Sequence, residues 1–409
     1  MKVSFWGIAS RAALAWALAL AASSSQAADF KILQPLQDKP GKLKNGGYYV
    51  PTTPETAMWG SLPNANTKAV LSVPSGSVVT IDTVSHEGVL EDQGKDPVKF
   101  FGQFGVKPAQ VLNDAQAITA SSLPHDFVKD GPHVVTGPVE VEGAKAGDVL
   151  MVEMVSLQPR VPYGVISNRH GKGALPGEFP ENKGPQQGAD TAHPELYANV
   201  FTFVPIRQIN GKWFGIVKGE SGPEAHIPLK PFNGTMGVAV NTQDKPNSIP
   251  PGPYAGNLDI NELSVGAVLY IPVQVDGALF YAADPHFAQA DGEVALTAIE
   301  GSLRSTYRLT VLKAGDKRLP MKAPMKNPFA ETKDYWIPIG LNTDLDDAMK
   351  DATRQTVQFL NEKLGMDRAT ALAYASAGVD FEVSQVVDRV KGVNAIIRKT
   401  DFAGNRGKK

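Results

Sequence analysis

At 409 residues the chain is longer than the size at which single hydrophobic cores stop growing, so two domains or one elaborate β-rich unit are expected. Its 40 Lys and Arg are interspersed among 42 Asp and Glu with no basic stripe, which argues against nucleic acid or an anionic membrane as partner. The absence of cysteine excludes disulfides and any thiol nucleophile, leaving the core to supply stability.

The N-terminus reads as a secretory signal. Lys2 and Arg11 are positive, Ala12 to Ala22 is uncharged, and Ser25-Gln26-Ala27 has the small-x-small form of a cleavage site. That run is too short to span a bilayer, which takes about 20 apolar residues. A periplasmic or secreted protein starting at Ala28 is expected, with a net charge of −4 and no membrane association after cleavage. The expected division is a signal peptide over 1–27, an N-terminal β-rich domain over 28–230, and a C-terminal β-rich part with helices over 231–409.

Gly 39 and Pro 31 point to many turns and hence to β architecture. After a polar arm to Gly47, three segments share one design, a Gly turn followed by a β-branched or apolar strand. They start at Gly76, Gly147 and Gly266. Their unequal spacing excludes a solenoid and fits a sandwich or barrel-like set of sheets. His86 follows the first of these strands. A short helix is expected around Pro108 to Ala120. Residues 168–195 form a long Gly- and Pro-rich loop, read as a solvated excursion with a pocket cover as the alternative. Strand-like alternation returns over 201–240, and the prolines and glycines of 248–259 restrict an irregular segment. Helices are expected mainly C-terminally. One is capped by Thr343 and stopped by Gly365, with Leu345, Met349, Ala352, Thr356 and Phe359 on its inner face. A second is capped by Asp367 and ended by Gly378. Strands 381–387 and 393–397 close the chain. The fold class is therefore mainly β, with an α+β C-terminal part carrying two helices.

Residues 279–300, LFYAADPHFAQADGEVALTAIE, bring Asp284, His286, Gln289, Asp291 and Glu293 into ten residues. Pro285 is expected to end the incoming strand, and Asp291-Gly292 is a turn dipeptide. Imidazole beside carboxylates is the donor set of zinc and similar divalent ions. Asp and Gly are also ordinary turn residues, and a single His among them is compatible with an exposed loop. Other chemistries find no motif: there is no Gly-x-Ser-x-Gly, no His-Glu-x-x-His, and no phosphate-binding glycine loop. His133 opens a strand entry. It and the remaining histidines other than His86 and His286 are read as structural or exposed.

Residues 283–293, ADPHFAQADGE, resemble the Gly-Asp-x-His-x-x-Gln-Gly-Asp-Gly-Glu motif of the acetamidase/formamidase family. Segments 48–60, 133–154, 231–240, 250–260 and 379–388 also look like that family, so the resemblance runs over nearly the whole mature chain. Ala283 and Ala290 replace glycines of the motif. Tyr254 and Ala255 replace a His and a Gly of its Pro-Pro-Gly-x-His-Gly-Gly-Asn. The resemblance implies hydrolysis of short linear amides to a carboxylate and ammonia. A divalent metal is expected, zinc or alternatively calcium, held by Asp284, His286 and Glu293 with His86 and Asp259 as further ligands. Asp291 or Glu293 is the expected general base. Asn257 and Gln289 are the expected holders of the small-molecule amide or its oxyanion. A homo-oligomer is expected. Two other outcomes stay open: hydrolysis of another C–N bond, such as a lactam or carbamate, and a binding module that has lost the chemistry.

Overall fold

The computed structural model describes residues 30–44, 46–322 and 324–405. The expected signal segment lies outside the described residues.

The strands that frame the candidate site are, in chain order, β1 (Ser77–Thr83), β2 (Val134–Val141), β3 (Val149–Pro159), β4 (Tyr163–Asn168), β5 (Phe232–Gly237), β6 (Ala255–Asn257), β7 (Phe280–Ala288), β8 (Leu303–Leu312), β9 (Val379–Gln385) and β10 (Lys391–Arg398). Most are rich in Val, Ile, Thr and aromatics, which suit a pleated, half-buried surface. In one sheet β8 lies antiparallel between β1 and β3, and the far edge is β9 beside β10. In the other, β7 is the hub. It pairs with β5 and with β2, and it meets the two-residue strand Ile299–Glu300, which leads on to β4. The protein is mainly β, as expected, with two long helices near the C-terminus.

Val79 and Ile81 of β1, Val152 of β3, Phe280 and Ala282 of β7 and Tyr307 of β8 belong to one apolar core. A second core collects Trp59, Phe100, Phe101, Val165, Phe232 and Phe287. All nine residues of β7 are buried, so its polar members enter the interior only with partners.

Pro285 does not end β7. The strand continues to Ala288, with Asn233 of β5 opposite Pro285. The proline is tolerated because Asp284 before it is in the left-handed region at φ 52°, a local irregularity where a ladder donor is not required. Asn233 Nδ2 donates to the carbonyl of Ala283 across the same spot.

The C-terminal helices run over Leu345–Leu364 and Arg368–Gly378. The first is capped by Asp344, one residue beyond the expected Thr343; the Asp344 carboxylate accepts from Asp347 N at 3.0 Å. Its buried face is Ala348, Ala352, Thr356, Val357, Phe359 and Leu360, while Leu345 and Met349 are exposed. The reason is Gly340 on the strand below. A Cβ there would come within 2.2 Å of Ala348 O, so the helix seats on its small residues Ala348 and Ala352. The expected short helix is confined to Asn113–Ala120.

Asp344→Ala removes one cap from this helix and is expected to cost about 1 kcal/mol, read as a lowered denaturant midpoint with an unchanged m-value.

Candidate functional site

Register brings the polar groups of the interior together. β5 lies between β6 and β7, with Phe232 opposite His286 and Thr235 opposite both Ala283 and Asn257. Gly234, between them, faces the side chains of its neighbours. A Cβ at this position would lie 2.2 Å from Asp259 Oδ1 and 2.7 Å from both Asp284 Oδ2 and His286 Cε1. The missing side chain is the space in which these three groups meet. On the other edge of β7, Glu300 is paired with His286, and its Oε1 lies 3.0 Å from His286 Nε2. The end of β1 delivers His86, whose Nδ1 is 3.5 Å from Asp284 Oδ1. His133, at the entry to β2, places Nε2 3.6 Å from the same oxygen.

Each of the three histidines has its outer nitrogen engaged and its inner nitrogen aimed at carboxylates. His86 Nε2 is 3.1 Å from Glu87 Oε1, and Glu87 is in turn ion-paired to Arg169 at 2.9 Å. His133 Nδ1 bonds Ser248 Oγ at 2.9 Å. His286 Nδ1 donates to Gln289 Oε1 at 3.0 Å. The orientation of that amide is fixed because Gln289 Nε2 donates to the carbonyls of Asp259 and Ser384. An outer hydrogen bond that orients the ring and leaves the inner lone pair free is how metal-binding histidines are commonly held.

The carboxylates are buried and crowded. Asp259, Asp284, Glu293, Glu300 and Asp388 are each at most 7 % exposed. Burial, and then Asp284, pushes the pKa of Asp259 up to about 7. Burial raises Glu293 well above the usual range, with Asp259 adding to it, and raises Asp388 with help from Asp259 and Glu293. Burial opposes ionisation of Asp284 too, but His133 and His286 outweigh it and hold its pKa well below the ordinary value. For His86, burial disfavours the imidazolium, yet Asp284, Glu87 and Glu300 push the pKa to about 10. Burial lowers His133 to about 4, against the opposing pull of Asp284.

Residues of this cluster fit a divalent ion. Groups within 4.8 Å of one another are His86, His133 and Asp284; Asp259, Asp284 and His286; His286, Glu293 and Glu300; and Asp259, Glu293 and Asp388. His86 Nδ1, both oxygens of Asp259, Asp284 Oδ1, His286 Nε2, Glu300 Oε2 and Asp388 Oδ2 are buried without a hydrogen-bond partner. Each such atom costs about 1–3 kcal/mol unless something coordinates it. The backbone is strained here as well. Asp259, Asp284 and Glu293 have φ of 50°, 52° and 45°, in the left-handed region that non-glycine residues rarely adopt.

A cavity of about 610 Å³ opens onto the cluster and is lined by His86, His133, Asn257, Asp284, Glu293, Glu300 and Asp388 among others. Asp259 and His286 are not in its lining and sit behind it. Of the sequence-derived candidates, His86, Asp259, Asp284, His286 and Glu293 come together. Asn257 lines the cavity, its carbonyl oxygen taken by Thr235 Oγ1. Gln289 bonds His286 and two carbonyls, which suits it to orienting the ring. Asp291 stands apart, accepting from Asn261 Nδ2 at 2.9 Å beside Glu262 and Glu382. An Asp before Gly in a turn is placed there by backbone geometry, and its side chain follows the turn outward.

Sequence reasoning read His133 as structural and assigned no site role to Glu300, Asp388 or Glu87. An acid closing the apolar run at Ala298-Ile299-Glu300 was the available signal for Glu300. Asp388 ends the family-like segment 379–388. Tyr254, in place of the family's His, donates to Pro250 O at 2.8 Å and packs in an apolar cluster with Leu62 and Tyr281. It is absent from the cavity lining. Ala255 takes the position of a family glycine at φ 67°. The first part of the 168–195 loop lines the cavity through Arg169, Gly171, Lys172, Gly173 and Pro176, while most of the remainder is exposed.

Residues 232–399 match the model of the Acetamidase/Formamidase family. Over that stretch, less than half of its length, the chain is similar to the acetamidase/formamidase family. A formamidase from Methylophilus methylotrophus is 24% identical over 303 residues, covering 63% of this chain and 73% of the relative. An acetamidase from Mycolicibacterium smegmatis is 26% identical over 199 residues, 40% of this chain and 49% of the relative. A Schizosaccharomyces pombe relative is 29% identical over 228 residues and is covered to 56%. The chain thus spans about half the length of the last two. The crystal structure of an acetamidase from Bacillus halodurans superposes with a TM-score of 0.63 at 25% identity, covering 87% of this chain and 99% of that one. A family region starting at residue 232 includes β5, β6 and β7 and hence Asp259, Asp284, His286, Glu293, Glu300 and Asp388. His86 and His133 are contributed from outside it.

Gly234→Ala is expected to leave the far-ultraviolet circular dichroism unchanged and to abolish binding of divalent metal, measured by elemental analysis. Among the outer acids, burial and then Asp291 and Glu262 push Glu382 up to about 7. The folded state therefore holds a proton there that the unfolded state has released, and stability falls as pH rises from about 4.5 to about 7. Glu382→Gln is expected to flatten that part of the curve of thermal midpoint against pH.

Proposed function

We propose that this chain is a metal-assisted amidohydrolase that cleaves the C–N bond of linear amides to a carboxylate and ammonia, and that it acts after export from the cytoplasm. The observation that carries the reading is the triple arrangement of His86, His133 and His286, each braced from outside and aimed at buried carboxylates at the floor of a cavity. The family match and the names of the formamidase and acetamidase relatives supply the substrate class.

His86, His133, Asp259, Asp284 and His286 would hold the cation, with Asp284 shared between the two groups. Imidazole among the donors favours a zinc-class ion over calcium, which takes oxygen ligands. A bound divalent cation supplies polarisation of the amide carbonyl and acidification of water. The chain does the remaining work. Asn257 can donate its amide N–H groups towards the cavity, because its oxygen is already occupied by Thr235. Glu293 lines the cavity, where its carboxylate would accept a proton from the attacking water and return it to the departing nitrogen. Burial, and then the charge of Asp259, keeps the proton affinity of Glu293 high.

Purified protein supplied with zinc is expected to release ammonia from formamide, acetamide or propionamide. Glu293→Gln should lower kcat by about 10²–10⁴-fold, the usual range for a general acid–base, with the metal retained. His286→Ala should lose metal and turnover together while the protein remains folded. Zinc binding without hydrolysis of any amide would overturn the reading.

A further inference from the structure

A cavity of about 610 Å³ is far larger than a small amide needs. At roughly 30 Å³ per water-sized group, formamide and acetamide occupy on the order of 100 Å³. The volume lies within the range of about 300–1,000 Å³ that suits much larger ligands. Leu90, Phe127, Pro176, Ile249, Leu296 and Val386 give it apolar lining.

Cations gather in the same lining: Arg169, Lys172, Arg389 and Lys391. Arg169 is neutralised by Glu87 and Asp92, and Lys391 Nζ is taken by the Thr343 carbonyl at 2.6 Å. Among the described residues, Lys172 and Arg389 form no ion pair, and neither side chain makes a hydrogen bond. They are neighbours in charge. Partial burial, and then the positive charges of Arg389 and Arg169, hold the pKa of Lys172 below lysine's ordinary value.

Both are mounted on fixed backbone. The turn carrying Arg389 is stapled by the buried Gln385, whose Oε1 accepts from Val387 N and Asp388 N and whose Nε2 donates to Val390 O at 2.7 Å. Arg389 itself is at φ 67°. The loop carrying Lys172 is tied to the turn after Glu293 by Asn168 Nδ2 donating to Ala295 O at 3.0 Å and by Ala174 N donating to Val294 O at 2.9 Å. Two exposed cations that form no ion pair among the described residues thus share one cavity lining with carboxylates and histidines of the cluster.

We propose that the preferred substrate is an amide with a carboxylate at the far end of a short hydrocarbon chain, that is, a monoamide of a dicarboxylic acid, with Lys172 and Arg389 binding the carboxylate. This rests on the amidohydrolase reading of the same site. Water adds to the amide carbon, the C–N bond breaks, and the nitrogen leaves as ammonia, so the product is the dicarboxylate. Arg supplies the fork that matches a carboxylate, and Lys a point charge.

The test compares kcat/KM of the zinc-loaded enzyme for glutaramate and for its uncharged analogue pentanamide, in wild type and in Lys172→Gln/Arg389→Gln. Glutaramate is expected to be favoured at least tenfold, and the ratio should fall towards one in the double variant and in high salt. Equal folding of the variant is checked by its thermal midpoint. Turnover of both amides with no preference, or a preference that survives the double substitution, overturns the proposal and leaves the amidohydrolase reading intact. If neither amide is turned over, that reading fails, and the anion site is judged by the glutarate-induced rise in thermal midpoint. A rise in wild type that is lost in the double variant supports the site, and no difference between the two overturns it.

Discussion

Like charges confined to a small volume away from water are the constraint on which this structure turns. Asp259, Asp284, Glu293, Glu300 and Asp388 share one buried region, and only histidines stand among them. Two carboxylates cannot both ionise in such proximity without a compensating positive charge. Everything around the cluster serves to hold it in place against that repulsion. Gly234 vacates the space, β7 and its neighbours fix the register, and Gln289, Glu87 and Ser248 brace the imidazoles from behind. The left-handed backbone at Asp259, Asp284 and Glu293 belongs to the same pattern, since strain of this kind persists where surrounding structure over-determines it.

Much of this was legible in the sequence, and the division between what was and what was not has a physical cause. Asp284, His286 and Glu293 lie close along one segment whose composition departs from that of an ordinary strand, so local reading found them. His86 was found because a functional group at the end of a strong β-branched strand is a local signal too. Glu300 reaches His286 only through strand pairing, and His133 and Asp388 come from β2 and the β9–β10 turn. No local pattern encodes such a register. The place of Asp291 outside the cavity lining has the opposite origin. Its position in the motif was read correctly, but the turn that makes Asp-Gly recognisable also points the carboxylate away from the cavity.

The fold follows a similar division. Strand content and the two C-terminal helices were readable from periodicity and caps. The inner face of the first helix was misread at Leu345 and Met349 because the strand beneath offers it a glycine, a fact on another segment of the chain. The 168–195 loop shows both expectations at once, a cavity wall in its first residues and exposed chain afterwards.

The orphaned atoms of the cluster have a consequence for how much of this protein a cell can keep. A ligand that binds only the folded chain stabilises it by an amount that grows with its free concentration, about 2.7 kcal/mol at a hundredfold excess over Kd. Unfolded chains are continuously removed by proteases, so a change of 1–2 kcal/mol, roughly, alters steady-state abundance several-fold. A chain whose interior is electrostatically incomplete without a cation would therefore accumulate according to the ion supply of its compartment, and scarcity would be felt as missing protein before it was felt as slow turnover.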